Sequence, residues 1–450
     1  MGRSQPGAPE PVTRSRLIVL VTVAALAATV TMLGGALRGS SAPDARAASP
    51  SHVIEARPDA GLAVGGTAAL VSQLQGRLRA DPRDAKSYTM LGLAYQQRAR
   101  ETGDPTYYPR SEQALRRALR LAPGDALAVG GLGSLALSRH RFREALTLGR
   151  RALRLAPESA RTYGVIGDAL VELGRYDVAF RAFDRMAQLK PSLAAYARVS
   201  YARELLGRPQ AAIAAMRLAV ESAANQPEAT AWARVQLGKL YWSVGRLDAA
   251  AAEYRGALDA FPGYAYAFDG LAQVEAARGH ARRAIGLETR AVDAIPLPQF
   301  VGLLGDLYAS AGDRVQARRQ YELIGVIQRL LVANGVRTDL ETALFDVDHG
   351  VRLRHALALA RLARADRPSI DGDDVLAWAL ARNGRCTEAL AYSRRALRLG
   401  TLDALKLFHR GMIERCVGHR AAGDGFLRRA LALNPRFSVL WSPVARKALS

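Results

Sequence analysis

Between Ala126 and Pro191 the chain writes one order of apolar and small positions twice. Leu132-Gly133 returns as Ile166-Gly167, Phe142 as Tyr176, Ala145 as Ala179, Ala152 as Met186 and Pro157 as Pro191, each 34 residues on. Each copy predicts two short helices divided by a tight turn. A fixed period of 20–50 residues marks a repeat array and overrides any domain count taken from length.

The phase extends in both directions. A glycine closes each predicted first helix, at Gly174, Gly207, Gly245, Gly279, Gly312, Gly350, Gly384 and Gly418, with intervals of 33, 38, 34, 33, 38, 34 and 34. Glycine suits a helix end because it reaches positive φ without a Cβ penalty. The two 38-residue intervals, containing 221–230 and 325–337, are expected to hold lengthened second helices or loops. Upstream, Tyr88, Leu91-Gly92, Tyr95, Tyr108, Leu115 and Ala118 form a first unit. Seven extra residues, including Thr102-Gly103-Asp104-Pro105, are placed in its inter-helix turn. Ala68 to Pro82 reads as a lone capping helix, and Phe437 to Leu449 as a final one. About ten units fit between Ala85 and Pro435; the weakest surrounds Gly350, with Leu344 where a small residue is expected.

This combination of positions resembles the tetratricopeptide repeat, a helix–turn–helix unit. Two departures are local: tryptophan is missing from the usual first aromatic position, and His140 stands where a turn glycine is expected. The resemblance implies an all-α fold, an α-α superhelix (solenoid) spanning residues 67–450, with first helices lining a concave face. Each hairpin alone has too little apolar surface to be stable, so stacking supplies the core. Family geometry assigns eleven residues to the concave face: Asp168, Tyr201, Glu204, Trp232, Lys239, Trp242, Tyr266, Asp269, Asp306, Asp374 and Trp378. Aromatic and charged side chains together suit a groove for an extended peptide or helix of a protein partner.

Charge adds a second possibility. Lys and Arg number 63 against 41 Asp and Glu, a net +22, and only five of the bases are lysine (Lys86, Lys190, Lys239, Lys406 and Lys447). That arginine bias fits a GC-rich bacterial genome. Arg116, Arg117 and Arg120, Arg150, Arg151 and Arg154, Arg394, Arg395 and Arg398, and Arg428 and Arg429 fall on second helices, expected on the convex face. Either they are a solvated outer face or they bind an anionic envelope polymer or lipid. Nucleic acid is not the expected partner, because no interleaved aromatic platforms accompany the charge.

Ahead of the repeats, 1–16 is polar and Leu17 to Leu37 is 21 residues without a charge. As a helix it would measure ~31 Å, enough for a ~30 Å hydrocarbon core. Arg3, Arg14 and Arg16 precede it, so the expected membrane anchor holds its N-terminus in the cytoplasm and everything after Arg38 outside. A signal peptide cleaved at Ala45-Arg46-Ala47 is the alternative, with the repeats on the same side. Residues 38–66, rich in Ser, Ala, Pro and Gly, read as a flexible linker.

Catalytic signals are sparse. The seven histidines show no HExxH spacing, and no Gly-rich phosphate loop or nucleophile elbow occurs. Asp346-Val-Asp348-His349-Gly350 offers ligand-type residues without a complete set, so neither metal nor cofactor is expected, nor enzymatic activity. Cys386 and Cys416 lie in adjacent units, either as two buried thiols or as a disulfide permitted outside the cytoplasm.

Overall fold

The computed structural model describes residues 59–223 and 226–450. The predicted membrane segment at 17–37, the residues before it and the linker up to 58 lie outside that range. Among the described residues no helix is long and apolar enough to cross a membrane.

An opening helix α1 (Asp59–Ala80), broken at Gly66, precedes ten antiparallel hairpins. The first three are α2 (Ala85–Thr102) with α3 (Tyr107–Leu121), α4 (Ala126–Ser138) with α5 (Phe142–Leu155), and α6 (Ala160–Glu172) with α7 (Tyr176–Leu189). Next come α8 (Leu193–Leu205) with α9 (Pro209–Ser222), α10 (Pro227–Ser243) with α11 (Leu247–Ala260), and α12 (Ala265–Ala277) with α13 (Ala281–Ala294). Then α14 (Pro298–Ser310) pairs with α15 (Arg314–Ala333), and α16 (Asp339–Asp348) with α17 (Leu353–Asp366). The last hairpins are α18 (Ile370–Arg382) with α19 (Cys386–Ala396), and α20 (Ala404–Cys416) with α21 (Arg420–Leu433); α22 (Trp441–Leu449) closes the stack.

Six of the ten first helices, α2, α4, α6, α8, α18 and α20, begin where a short polar residue caps them. Asp125 accepts hydrogen bonds from the backbone N–H groups of Leu127 and Ala128, and Ser159, Ser192 and Ser369 cap α6, α8 and α18 likewise. Within a hairpin, a small residue of the first helix receives a large one sixteen positions later. A Cβ on Gly167 would stand 2.3 Å from the Phe183 ring, so only glycine lets α6 and α7 approach this closely.

Successive turns of the superhelix touch each other along a seam. Tyr176 Oη accepts from the Ile370 N–H at 2.7 Å, Thr401 Oγ1 donates to the Leu205 carbonyl, and Asn434 Nδ2 donates to the Trp242 carbonyl at 2.8 Å. His140 Nδ1 donates to the Arg337 carbonyl at 2.7 Å, and Arg367 forms a buried bidentate pair with Glu172. These partners are 192–197 residues apart, just under six 34-residue units. The inter-helix turns of hairpins two to five thus rest on the loops that enter hairpins eight to ten and the end. His140 keeps the positive φ of the missing glycine (56°) and uses its side chain for the seam.

The lengthened intervals serve the same seam. In the first 38-residue interval the extra residues extend a first helix: α10 has 17 residues where α4, α6 and α8 have 13. This differs from the expected second helix or loop because Pro227, at the helix start, fixes φ for an earlier entry. The extra residues of the first unit likewise prolong α2 to 18 residues, and its Gln97 Nε2 donates to Glu228 of α10 at 3.1 Å. The second interval lengthens α15 to 20 residues; its Ile327 and Leu331 pack with Leu115 and Leu132 of the overlying turn.

Candidate functional site

Because the turns of the superhelix touch each other, the first helices face a half-open channel between them. Three connected cavities occupy it, of about 330, 540 and 400 Å³. Trp242 and Phe437 wall both of the first two, and Asp306, Gln299 and Ser438 wall both of the last two. Their lining carries seven carboxylates (Glu204, Asp269, Asp306, Glu341, Asp348, Asp371, Asp403) against four Lys and Arg (Lys239, Lys406, Arg436, Arg446) and the histidines His140 and His349. Carboxylates thus outnumber Lys and Arg along this lining, the reverse of the whole chain with its net charge of +22.

Six of the eleven sequence-predicted residues share this channel: Tyr201, Glu204, Lys239, Trp242, Asp269 and Asp306. The side chains of Tyr201, Glu204 and Lys239 form no hydrogen bond or ion pair among the described residues. Burial pushes Glu204 up to about 7, helped by the charge of Asp403, and pushes Asp269 up to about 6 against the pull of Lys239. The same burial lowers Lys239, partly offset by Asp269 and Glu204. The two carboxyls at the channel centre thus change charge near neutrality.

The other five are placed elsewhere. Asp168 is buried in a bidentate pair with Arg198, Nε at 2.9 Å and Nη2 at 2.6 Å. Asp374 accepts from His409 Nδ1 at 3.0 Å. Trp378 stacks on the same imidazole, ring centroids 4.5 Å apart, and donates through Nε1 to Asp348 at 2.9 Å. Trp232 and Tyr266 wall a separate cavity of about 280 Å³ beneath the end of α2.

Sequence reasoning missed the residues that organise the channel's lower end. Lys406 lies between Asp371 (2.9 Å) and Asp403 (2.7 Å). Burial works against its charge, but the two carboxylates outweigh it and hold Lys406 well above the ordinary lysine range. A signal existed: two of only five lysines, Lys239 and Lys406, face the channel. The C-terminal segment is the other surprise. Instead of only capping α21, it turns into the bore, where Trp441 stacks on Phe408 and donates to Asp348 at 3.2 Å. His349, flagged in the sequence with Asp346 and Asp348, donates through Nε2 to Asp306 and through Nδ1 to the Phe345 carbonyl, both 2.8 Å. Burial opposes its charge, yet Asp306 raises it above the usual histidine range. Asp346 pairs with Arg352 at 2.7 Å.

On the outside, Arg150, Arg154, Arg394, Arg428 and Arg429 are exposed and form no ion pair among the described residues, whereas Arg116 pairs with Glu112 and Arg395 and Arg398 reach the buried Asp373. Cys386 and Cys416 are joined in a disulfide with Cα atoms 5.8 Å apart.

Three segments, 107–160, 165–227 and 235–297, match the tetratricopeptide repeat family. No curated protein matches the chain. Among solved structures, the thermophilic TPR protein TTC0263 of Thermus thermophilus shares 23% identity over 47% of this chain and 98% of its own, TM-score 0.36. The APC/C hetero-tetramer Cut9–Hcn1 shares 15% over 85% and 82%, TM-score 0.38. YrrB, described as a TPR protein with an unusual peptide-binding site, shares 24% over 41% and 93%, TM-score 0.28. The matched segments run from α3 to α13, so that part of the stack carries repeats of the tetratricopeptide type, and helical hairpins of the same kind continue on either side of it.

Proposed function

We propose that the chain is a protein-interaction scaffold whose channel holds an extended, cationic segment of a protein partner. Repeats of this family support the general reading. The observation that carries the specific one is the cluster of Tyr201, Glu204, Lys239, Trp242 and Asp269, polar and aromatic groups facing half-open space with few partners of their own. Trp242 supplies an apolar anchor and the surrounding carboxylates supply complementary charge. Glu204 is half ionised near pH 7, so affinity for a cationic segment rises as pH goes from 6 to 8 and Glu204 gains its charge. A photo-crosslinker at Ser243, on the channel wall of the intact chain in its native cells, identifies the occupant. Truncating Trp242 to Ala and neutralising Glu204 to Gln should each remove the crosslinked band; a band indifferent to both sinks the reading.

The proposed site of action is the outer side of a bacterial membrane, held there by 17–37 or reached after cleavage of that segment. The 21 uncharged residues motivate it, and the Cys386–Cys416 disulfide supports an oxidising compartment. Protease added to intact spheroplasts should digest the repeats; full protection would reverse the orientation.

A second reading has its own support in the unpaired outer arginines. An anionic polymer or lipid surface bound there would dissociate steeply with salt and ignore Trp242→Ala, whereas channel binding persists at moderate salt.

A further inference from the structure

The seam between superhelical turns is closed by direct hydrogen bonds at hairpins two to five, but at the first hairpin it encloses the cavity of about 280 Å³. The prolonged end of α2 covers it, the prolonged start of α10 forms one wall, and the loop 261–264 forms another. The walls are mainly apolar and aromatic: Trp232, Phe261, Tyr264, Tyr266 and Ile295.

Its polar groups are unbalanced. Arg100 lines the cavity, yet its guanidinium makes no ion pair or hydrogen bond among the described residues, and its Nε is buried without a partner. Trp232, only 8% exposed, likewise has a buried Nε1–H with nothing to donate to. The two carboxylates in the wall do not neutralise Arg100. Glu101 is engaged by Arg98 (2.9 Å) and Gln97 (3.0 Å), and Glu228 accepts from Gln97. A second cation stands close by: burial and the Arg100 charge together push Arg161 down to about 10. The buried Arg100 Nε–H and Trp232 Nε1–H are left without acceptors, a cost in free energy that an anion in the cavity would recover.

We propose that this cavity is a binding site for a small organic acid, an apolar body about the size of one large side chain ending in a single carboxylate. The carboxylate would sit between Arg100 and the Trp232 Nε1–H, and the body against Tyr264, Tyr266 and Ile295. The volume is near the lower end of ligand pockets, which suits one ring or branched chain. A guanidinium fork matches a carboxylate in two parallel hydrogen bonds. The predominantly apolar wall disfavours a multiply charged, fully hydrated phosphate. The site is distinct from the channel and does not depend on what the channel holds.

The test is titration calorimetry on the full chain with 3-phenylpropionate, its uncharged amide, inorganic phosphate, and the peptide Gly-Gly-Phe with free or amidated C-terminus. Saturable binding of the acid, at least tenfold weaker binding of the amide, and tenfold loss in Arg100→Gln with partial recovery in Arg100→Lys are expected. The Lys variant separates loss of the charge from loss of the fold. Binding by the free acid alone assigns a metabolite-like ligand; binding by the peptide only with its terminus free assigns the same chemistry to a chain end. No binding by any carboxylate, equal binding of acid and amide, equal affinity in Arg100→Gln, or preference for phosphate overturns the proposal.

Discussion

Glu288 occupies a position that neighbouring hairpins fill with a large apolar or aromatic side chain, Phe183, Met216, Tyr254 or Leu427. It is fully buried, and neither carboxylate oxygen has a partner among the described residues. Burial, with a contribution from the Asp269 charge, raises its pKa well above the ordinary value, so the side chain folds in its neutral form. The sign follows from linkage. Above the unfolded value near 4.3 the unfolded chain gives up this proton while the folded chain keeps it, so this residue's contribution to stability falls as pH rises. Glu288→Met should therefore raise stability at pH 7 by roughly 1–3 kcal/mol, and the gain should shrink toward pH 4. Paired urea melts at pH 4.5 and 7.5 check both the size and the trend. The same scale shows what the sequence leaves hidden. The phase puts Asp168 on the inward face, but nothing in it reveals that Arg198, one hairpin on, consumes the carboxylate; that requires knowing how neighbouring first helices are offset. Lys239 feels the charges of Asp269 and Glu204 but forms no ion pair with them among the described residues and stays available, and that difference separates a packing charge from a binding one.

Helices and turns were the most legible level, because a 34-residue period repeats one local energy minimum ten times and errors in one unit are corrected by the next. What the period conceals is where an insertion goes. Four added residues fit equally well in a loop, at the end of one helix or at the start of the next; α2, α10 and α15 are long because the next superhelical turn gives their extra surface something to pack on. The turn glycines divide in the same way. Gly207 and Gly418 both have positive φ, 66° and 91°, but a Cβ on Gly207 would stand 2.2 Å from the Gly400 carbonyl oxygen, whereas one on Gly418 meets nothing. Gly418→Ala should cost about 1 kcal/mol of backbone strain, and Gly207→Ala roughly 3 kcal/mol or more, since it also forces the seam apart. Equal costs in denaturant melts would mean that the seam adds nothing at Gly207. The disulfide joins α19 to the end of α20 across a 30-residue separation. Its reduction should lower stability by about 3–4 kcal/mol through loop entropy, with hydrogen exchange accelerating first in α18 to α21.

Closure of the superhelix is a property of the whole molecule. The rotation between adjacent hairpins is small, and only its sum over nearly six units decides whether hairpin three meets the loop before hairpin nine or passes it by. No local pattern encodes that sum. The consequence is energetic: an open repeat array is stabilised only between neighbours and can lose its ends piecemeal, but here buried contacts some 195 residues apart tie one turn to the next. The Glu172–Arg367 pair is a buried, charged tie among these. Burial opposes the Arg367 charge, and the carboxylates of Glu172, Glu341 and Asp371 more than compensate, holding its pKa above the ordinary arginine range. Glu172→Gln leaves that guanidinium with Glu341, at 3.1 Å and 44% exposed, as its remaining ion pair. The expected loss is about 3–5 kcal/mol, and the double change Glu172→Met with Arg367→Met should recover most of it, because a buried pair stabilises little relative to apolar packing. The single variant should also turn one cooperative urea transition into two and lengthen the particle in small-angle scattering as the turns separate. Should Glu172→Gln instead unfold in one transition with an unchanged envelope, the seam is a passive contact and the channel is held shut by the hairpin stack alone. If the envelope lengthens, the channel walls are set by the seam, and the inward carboxylates meet their partner only while distant turns remain in contact.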